Sequence, residues 1–563
     1  MAVIRRGSSP WPLGGILLCA LAIACSGREG GDEPSCPQAY AYDWQALLPG
    51  PAEEGHDADL ARLARMRDRQ FWAFHALPTG LSAECSISRD KTAERAAVED
   101  WLANDDGWDF AAYSGMQVAD VVDSWWKVAG AYAGAGIAAD AFRYGVMRDQ
   151  CYPVDELDRA REQLLASAEG LHRAVAITGV EGVIVRGYAH KGYPGAGGEL
   201  CTPLFDAQGM PLPEEKDNGT WREDNSGLYP DFIWEDSCSR DMLIGWALGF
   251  GALWEVVEDD PSIPAEVKQT LRDDARALAR AYAVVRESGY DLEVPDADGR
   301  TTYHGYLNEQ NVDRMYLPGA RNGFHTIMAL GILAALADVA DDPQTDAYLY
   351  EELIGERDFV QIARDDMILV NMGTASNFSN YNMVVQGAWL ALRHLHDDEA
   401  ARAGVQAALD VQIYDSPGER FQPVEIGQSL FDFAYAAGMC GASARKPCQR
   451  APDMEAVARG LQTLREFPLP PFWEFERVNC DPQELDAGVC TTDDGVQLDV
   501  LGEVGRNGSL VVAQPIPMRS RPPSNYYWRS NPYEPNGGAD GPAMFPGVDF
   551  RLAYWLGRWV RVE

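Results

Sequence analysis

The sequence predicts a mainly α protein, an (α/α)6 toroid-like helical barrel with short β-hairpins and an irregular C-terminal segment. Three observations carry that expectation. About a dozen segments place apolar residues at helical spacing, joined by loops rich in Gly, Pro, Asn and Asp. One of them, 239–258, has no polar side: Met242, Leu243, Ile244, Trp246, Leu248, Phe250, Leu253, Trp254, Val256 and Val257 cover every face, as in a helix buried all round. Others, such as 263–288, keep one charged face and belong outside. Inner and outer helices alternating to a total near twelve is the toroid pattern, and a helical solenoid or two stacked bundles gives a similar count.

Arg5 and Arg6 followed by 14-GGILLCALAIAC-25 read as the charged and apolar regions of a signal peptide, 1–24. The ending Ala22-Ile23-Ala24-Cys25 is similar to a bacterial lipobox with its leucine one place early, which makes Cys25 the lipidation candidate; ordinary secretion is the alternative. Residues 25–50 then form a tether that is small, polar and glycine-rich at its start. The helical body, 51–467, runs through 56–76, 91–104, 116–148, 155–178, 239–258, 263–288, 322–340, 344–367, 378–396, 398–412, 427–441 and 452–466. Two stretches break the helical period: 182–193 reads as extended, and 289–306 as a hairpin turning at Asp298-Gly299. From 468 to 563 the chain is Pro/Gly-rich and closes with a helix near 549–562 that docks back on the body.

Composition narrows the function. The net charge is −39, and loss of residues 1–24 removes two arginines and takes it to −41. Such a surface repels nucleic acid and anionic lipid, so no nucleic acid is expected as partner, and membrane contact only through the N-terminal lipid. Beyond Cys19 and Cys25, nine cysteines remain, with Cys440/Cys448 and Cys480/Cys490 closing short loops and Cys238 the expected free thiol. None has zinc-site spacing; no metal and no cofactor are expected. Asp296-Ala297-Asp298-Gly299 reads as a turn because the downstream acid of a calcium loop is missing, and no G-x-S-x-G or H-E-x-x-H occurs.

Four polar clusters carry the candidate chemistry. In 234-WEDSCSRDMLIGW-246, Asp236 or Ser237 suits the cap of the buried helix, with Arg240 and Asp241 in its first turn. Arg240 and Asp241 suit an ion pair between helices equally well. In 303-YHGYLNEQNVDR-314, His304, Tyr306 and Glu309 stand together, and His304 titrates in the range of a general base. In 371-NMGTASNFSNYN-382, Asn371, Asn377, Tyr381 and Asn382 exceed what one helix cap requires, where Ser379 or Asn380 is the expected N-cap. In 519-RSRPPSNYYWRSNPY-533, Arg521, Tyr526 and Trp528 offer cations and flat rings to a sugar, and Trp125, Trp126 and Arg186 suit the same cavity.

The segments DSCSRDMLIGW, DADGRTTYHGY, NMGTASNFSNYN and FRLAYWLGRW together resemble bacterial exported proteins built on the (α/α)6 toroid, the glycoside hydrolases and polysaccharide lyases among them. The resemblance implies a carbohydrate substrate and cleavage of glycosidic bonds in a central funnel. Hydrolysis needs two facing carboxyl groups, drawn from Asp236 or Asp241 and Glu309 or Asp313. A uronate lyase needs a neutralised carboxylate and a His or Tyr base, drawn from Asn377 or Asn382, His304, Tyr306 and Arg521. A non-catalytic lipoprotein that binds a glycan or protein partner accounts for the same clusters without turnover.

Overall fold

The computed structural model describes residues 45–195, 199–368, 370–396, 398–439, 450–492, 495–521 and 531–562. It overturns the mainly α expectation: the structure is 48% helix and 13% strand, with 18 helices and a seven-stranded antiparallel sheet among the described residues, a mixed α/β fold and not mainly a helical toroid. The physical reason is strand length. The strands of the large sheet have two to six residues, too short to print a clear two-residue alternation, and most of their partners come from distant parts of the chain. Ser124–Ala129 lies inside a span that reads as helix from its alanines and valines.

Five buried helices position the site: α1 (Gly130–Asp149), α2 (Arg240–Val257), α3 (Gly323–Ala340), α4 (Phe378–His394) and α5 (Val548–Trp559). The nine strands that matter are β1 (Ala83–Ser86), β2 (Ser124–Ala129), β3 (Gly187–His190), β4 (Trp221–Glu223), β5 (Phe232–Glu235), the hairpin β6 (Glu293–Pro295) and β7 (Thr301–Tyr306), β8 (Phe472–Trp473) and β9 (Ala543–Phe545). The large sheet has the order β8-β9-β1-β2-β3-β5-β4, every neighbour antiparallel.

The helices meet backbone to backbone. A Cβ on Gly134 of α1 would fall inside the carbonyl oxygen of Gly245 of α2, and one on Gly245 would lie 2.6 Å from Ala131 Cα. Gly331 of α3 and Gly387 of α4 make the same kind of crossing. Such spacing admits only glycine. Gly130 neighbours Met242 and Gly249 neighbours Ile137, so α1 and α2 run in the same direction. Arg240 approaches His325 and Gly251 approaches His394, which extends that direction to α3 and α4. The N-terminal ends of α1–α4 therefore share one rim. Because β2 leads directly into α1, and β5 leads within five residues into α2, the sheet abuts that rim.

The C-terminal helix is locked by a buried ion cluster. Arg551 binds Asp68 at 2.7 Å and Asp140 at 2.6 Å, its guanidinium lies 3.9 Å over Phe71, and Trp555 donates to Asp68 at 3.0 Å. Arg561–Val562 then pairs with Gln45–Ala46, and β8 and β9 join the large sheet, so residues beyond 468 complete the body. A satellite core of Cys480, Cys490, Leu498, Val512 and Ile516 holds the Cys480–Cys490 disulfide. Cys151 is disulfide-bonded, Cys85, Cys201 and Cys238 are free, and Cys440 and Cys448 lie outside the described residues.

Gly134→Ala is expected to force α1 from α2 and to destabilise the protein by roughly 3 kcal/mol; urea unfolding followed by tryptophan fluorescence measures it, and an unchanged midpoint contradicts the crossing.

Candidate functional site

The rim is built where β5 turns into α2. Ser237 adopts a left-handed φ of 62°, and three hydrogen bonds hold it there. Its N–H donates to Asp296 at 2.7 Å, its hydroxyl donates to the Asp217 carbonyl at 2.8 Å, and the same hydroxyl accepts from the Tyr303 N–H at 2.9 Å. Thr302 donates to the Cys238 carbonyl at 2.8 Å. These bonds seam the helix start to β7 and bring His304 beside Arg240 and Asp241. The N-cap of α2 is Ser239, not Asp236 or Ser237. Its hydroxyl donates to Asp241 and accepts from Arg186 at 2.6 Å.

Cations gather around this start. Arg186 also lies 3.6 Å from Glu235, which Lys127 contacts as well. The Lys127 ammonium stands 5.9 Å from the ring centre of Trp126 and 5.8 Å from that of Trp221, and Trp126 is 53% exposed. Trp125, by contrast, is buried and donates to the Phe74 carbonyl. Arg240 pairs with Asp313 at 3.8 Å, approaches His325 at 3.4 Å and lies 5.7 Å from the Phe324 ring centre. The ion pair with Asp241 that the sequence allowed is replaced by Asp313.

His304 is the titratable group at the centre. Burial lowers its pKa below the ordinary 6.5; the charges of Arg240 and Arg314 push the same way, and Asp313 and Asp241 oppose them. Its Nδ1 is buried without a hydrogen-bond partner. The Tyr303 ring lies 4.6 Å away, with the Arg314 guanidinium 4.1 Å over it. Tyr306 ends β7, packs its ring 6.1 Å from that of Tyr316, and has its pKa raised by burial and then by the Glu293 charge. His325 is fully buried, and that burial holds it neutral down to about 3.

Several expected residues stand elsewhere in closed arrangements. Asp236 is saturated: Arg222 binds it at 3.0 and 2.6 Å, Lys216 at 3.2 Å and the Thr220 N–H at 2.9 Å. Glu309 is held by both ends of the Arg357 guanidinium, which also binds Asp291 at 2.6 Å. Asn371 donates to the Arg420 carbonyl, and Asn377, rather than Ser379 or Asn380, caps α4. Tyr381 is buried next to Phe378, which packs on Tyr533. Asn382 is buried and accepts from Gln386 at 3.3 Å. Arg521, 4% exposed, donates to the carbonyls of Ile516 and Ile426 and so fastens backbone. Tyr526, Trp528 and Cys25 lie outside the described residues.

The structure thus joins Arg186, Arg240, Asp241 and His304, leaves Tyr306 beside Tyr316, and engages Asp236, Glu309 and Arg521 in other pairings. Sequence reasoning missed Lys127, Trp221, Arg314 and His325. A strand neighbour and a helix start far apart in the chain carry no shared signal. The rim holds no set of side chains arranged around a metal among the described residues.

No family model and no curated protein matches the chain. Its functional reading therefore comes from these side chains alone.

Removing one partner separates the closed groups from the open ones. Asp236→Asn leaves the buried Arg222 short of its counter-charge and is expected to cost roughly 3–5 kcal/mol, whereas Asp241→Asn is expected to cost less than about 1 kcal/mol. Paired denaturant titrations check the difference, and equal costs contradict it.

Proposed function

We propose that the rim is the active site of an exported, lipid-anchored enzyme that cleaves an acidic polysaccharide by β-elimination, a uronate lyase. One observation carries the choice: burial and nearby guanidinium groups lower the pKa of His304, while two of the four carboxylates offered to hydrolysis, Asp236 and Glu309, are consumed by Arg222, Lys216 and Arg357. Local cations also suit an anionic substrate that the surface as a whole repels.

Each residue has one task. Arg240 and Arg314 neutralise the uronate carboxylate, which makes the proton on the adjacent carbon more acidic. His304 takes that proton. The bond from the next carbon to the glycosidic oxygen breaks, a carbon–carbon double bond forms, and the leaving oxygen takes the Tyr306 proton. Solvent then returns the proton to Tyr306 and removes it from His304. Trp126 offers its exposed face to a neighbouring sugar ring.

A panel of acidic and neutral glycans tests the reading. The expected product absorbs in the ultraviolet as an unsaturated uronate, and His304→Ala lowers kcat by roughly a hundredfold or more. Reducing ends released without that absorbance would instead mark a hydrolase using Asp241 and Asp313. No turnover on any glycan would leave a binding protein.

The pH profile carries a sign. The base must be unprotonated, and its pKa lies below 6.5, so activity persists below that pH and falls only as pH drops through the lowered value. Burial is the largest cause of the lowering, and Arg240→Gln removes one of the two cations that add to it, so the acidic limb of kcat/KM moves upward toward 6.5. A limb that stays put, or moves down, removes His304 as base.

A further inference from the structure

The opposite end of the same helices carries a second cluster. Asp338 stands in the last turn of α3, His394 is the last residue of α4, and His396 follows two positions on. His394 Nδ1 lies 2.7 Å from one Asp338 oxygen and His396 Nε2 lies 3.0 Å from the other. One donor atom from each of the three residues falls within 4.8 Å of the rest. We infer that Asp338, His394 and His396 form a binding site for one transition-metal dication of the zinc class.

Donor chemistry selects the ion. Two imidazole nitrogens and one carboxylate suit Zn2+, Co2+ or Ni2+, whereas Ca2+ and Mg2+ take mostly oxygen. Tetrahedral ligands on zinc stand about 3.4 Å apart at bond lengths near 2.1 Å, so the separations of 2.7 and 3.0 Å need to open by about 0.4 to 0.7 Å. The two rings are inclined at 75° with centres 6.0 Å apart, which lets them approach one point from different sides.

The electrostatics point the same way from independent geometry. α3 and α4 run in the same direction, so both present their C-terminal carbonyl ends here, and the negative ends of two helix dipoles favour a cation. An aspartate in the last turn of a helix is unfavourable on the same ground, and a dication reverses that. A water molecule would supply the fourth ligand. His394 is buried and His396 exposed, which gives the site a wall and an entrance. Without metal the three residues would serve as a plain hydrogen-bonded clasp between two helix ends, and the two readings differ in what titrates.

The test uses the full chain, stripped with a chelator and titrated with Co2+ while the visible d–d absorption is followed. One Co2+ per chain is expected, with the strong band of a tetrahedral site that Zn2+ abolishes, and with a rise in Tm. His396→Gln, at the exposed edge, is expected to weaken Co2+ binding at least tenfold. His56→Gln, a histidine bound to the Pro49 carbonyl far along the chain, is expected to leave it unchanged. Asp338→Asn gives a second check should His396→Gln fail to fold. No saturable band at one equivalent, or an unchanged titration in His396→Gln or Asp338→Asn, would falsify the site.

Discussion

The glycine contacts between α1 and α2, and between α3 and α4, are the constraint on which the rest of the structure depends. Helices with side chains at those crossings would stand farther apart, and their starts would not share a rim. Because the backbones touch, the Ser239 N-cap, Arg240 and His325 come within reach of one another. The sheet then extends the rim, since β2 leads directly into α1 and β5 runs to within five residues of α2.

Electrostatics sorts the polar residues into two kinds. Asp236, Asp296 and Asp298 gather around Lys216, with Arg222 and Arg300 closing the group, and Arg551 pairs with both Asp68 and Asp140. Every charge there has its counter-charge, which makes such clusters rigid fasteners. His304 is different. It sits half-buried with an unpartnered nitrogen among charges of both signs, so its protonation answers to the surroundings. A group left poised in that way is where chemistry is expected.

Sequence order alone showed much of the helical content. The spans 91–104, 322–340 and 452–466 contain Thr92–Asn104, Gly323–Ala340 and Met454–Glu466, because the period of apolar residues is long enough to read. The hairpin at Asp298-Gly299 was legible from its turn, and β6 and β7 flank it. The large sheet was not. Phe472–Trp473 has two residues, and its partner Ala543–Phe545 lies some seventy positions on. Among candidate residues, Arg240, Asp241 and His304 stood out as polar groups at the mouth of an apolar helix and in a histidine-poor chain. Asp236 and Glu309 looked equally suitable, because their saturating partners, Arg222 and Arg357, sit 14 and 48 positions away.

The sequence by itself determined many of the helical segments, though not the strand Ser124–Ala129 inside one of them, that the helix after Ser239 is buried on all sides, and that the chain is strongly acidic. These follow from local spacing and from composition. Only the tertiary structure decided that the fold is mixed α/β, which carboxylates are free to react, and that Asp338 meets His394 and His396. Each depends on contacts between residues remote in the chain, set by how closely the helix backbones and short strands approach.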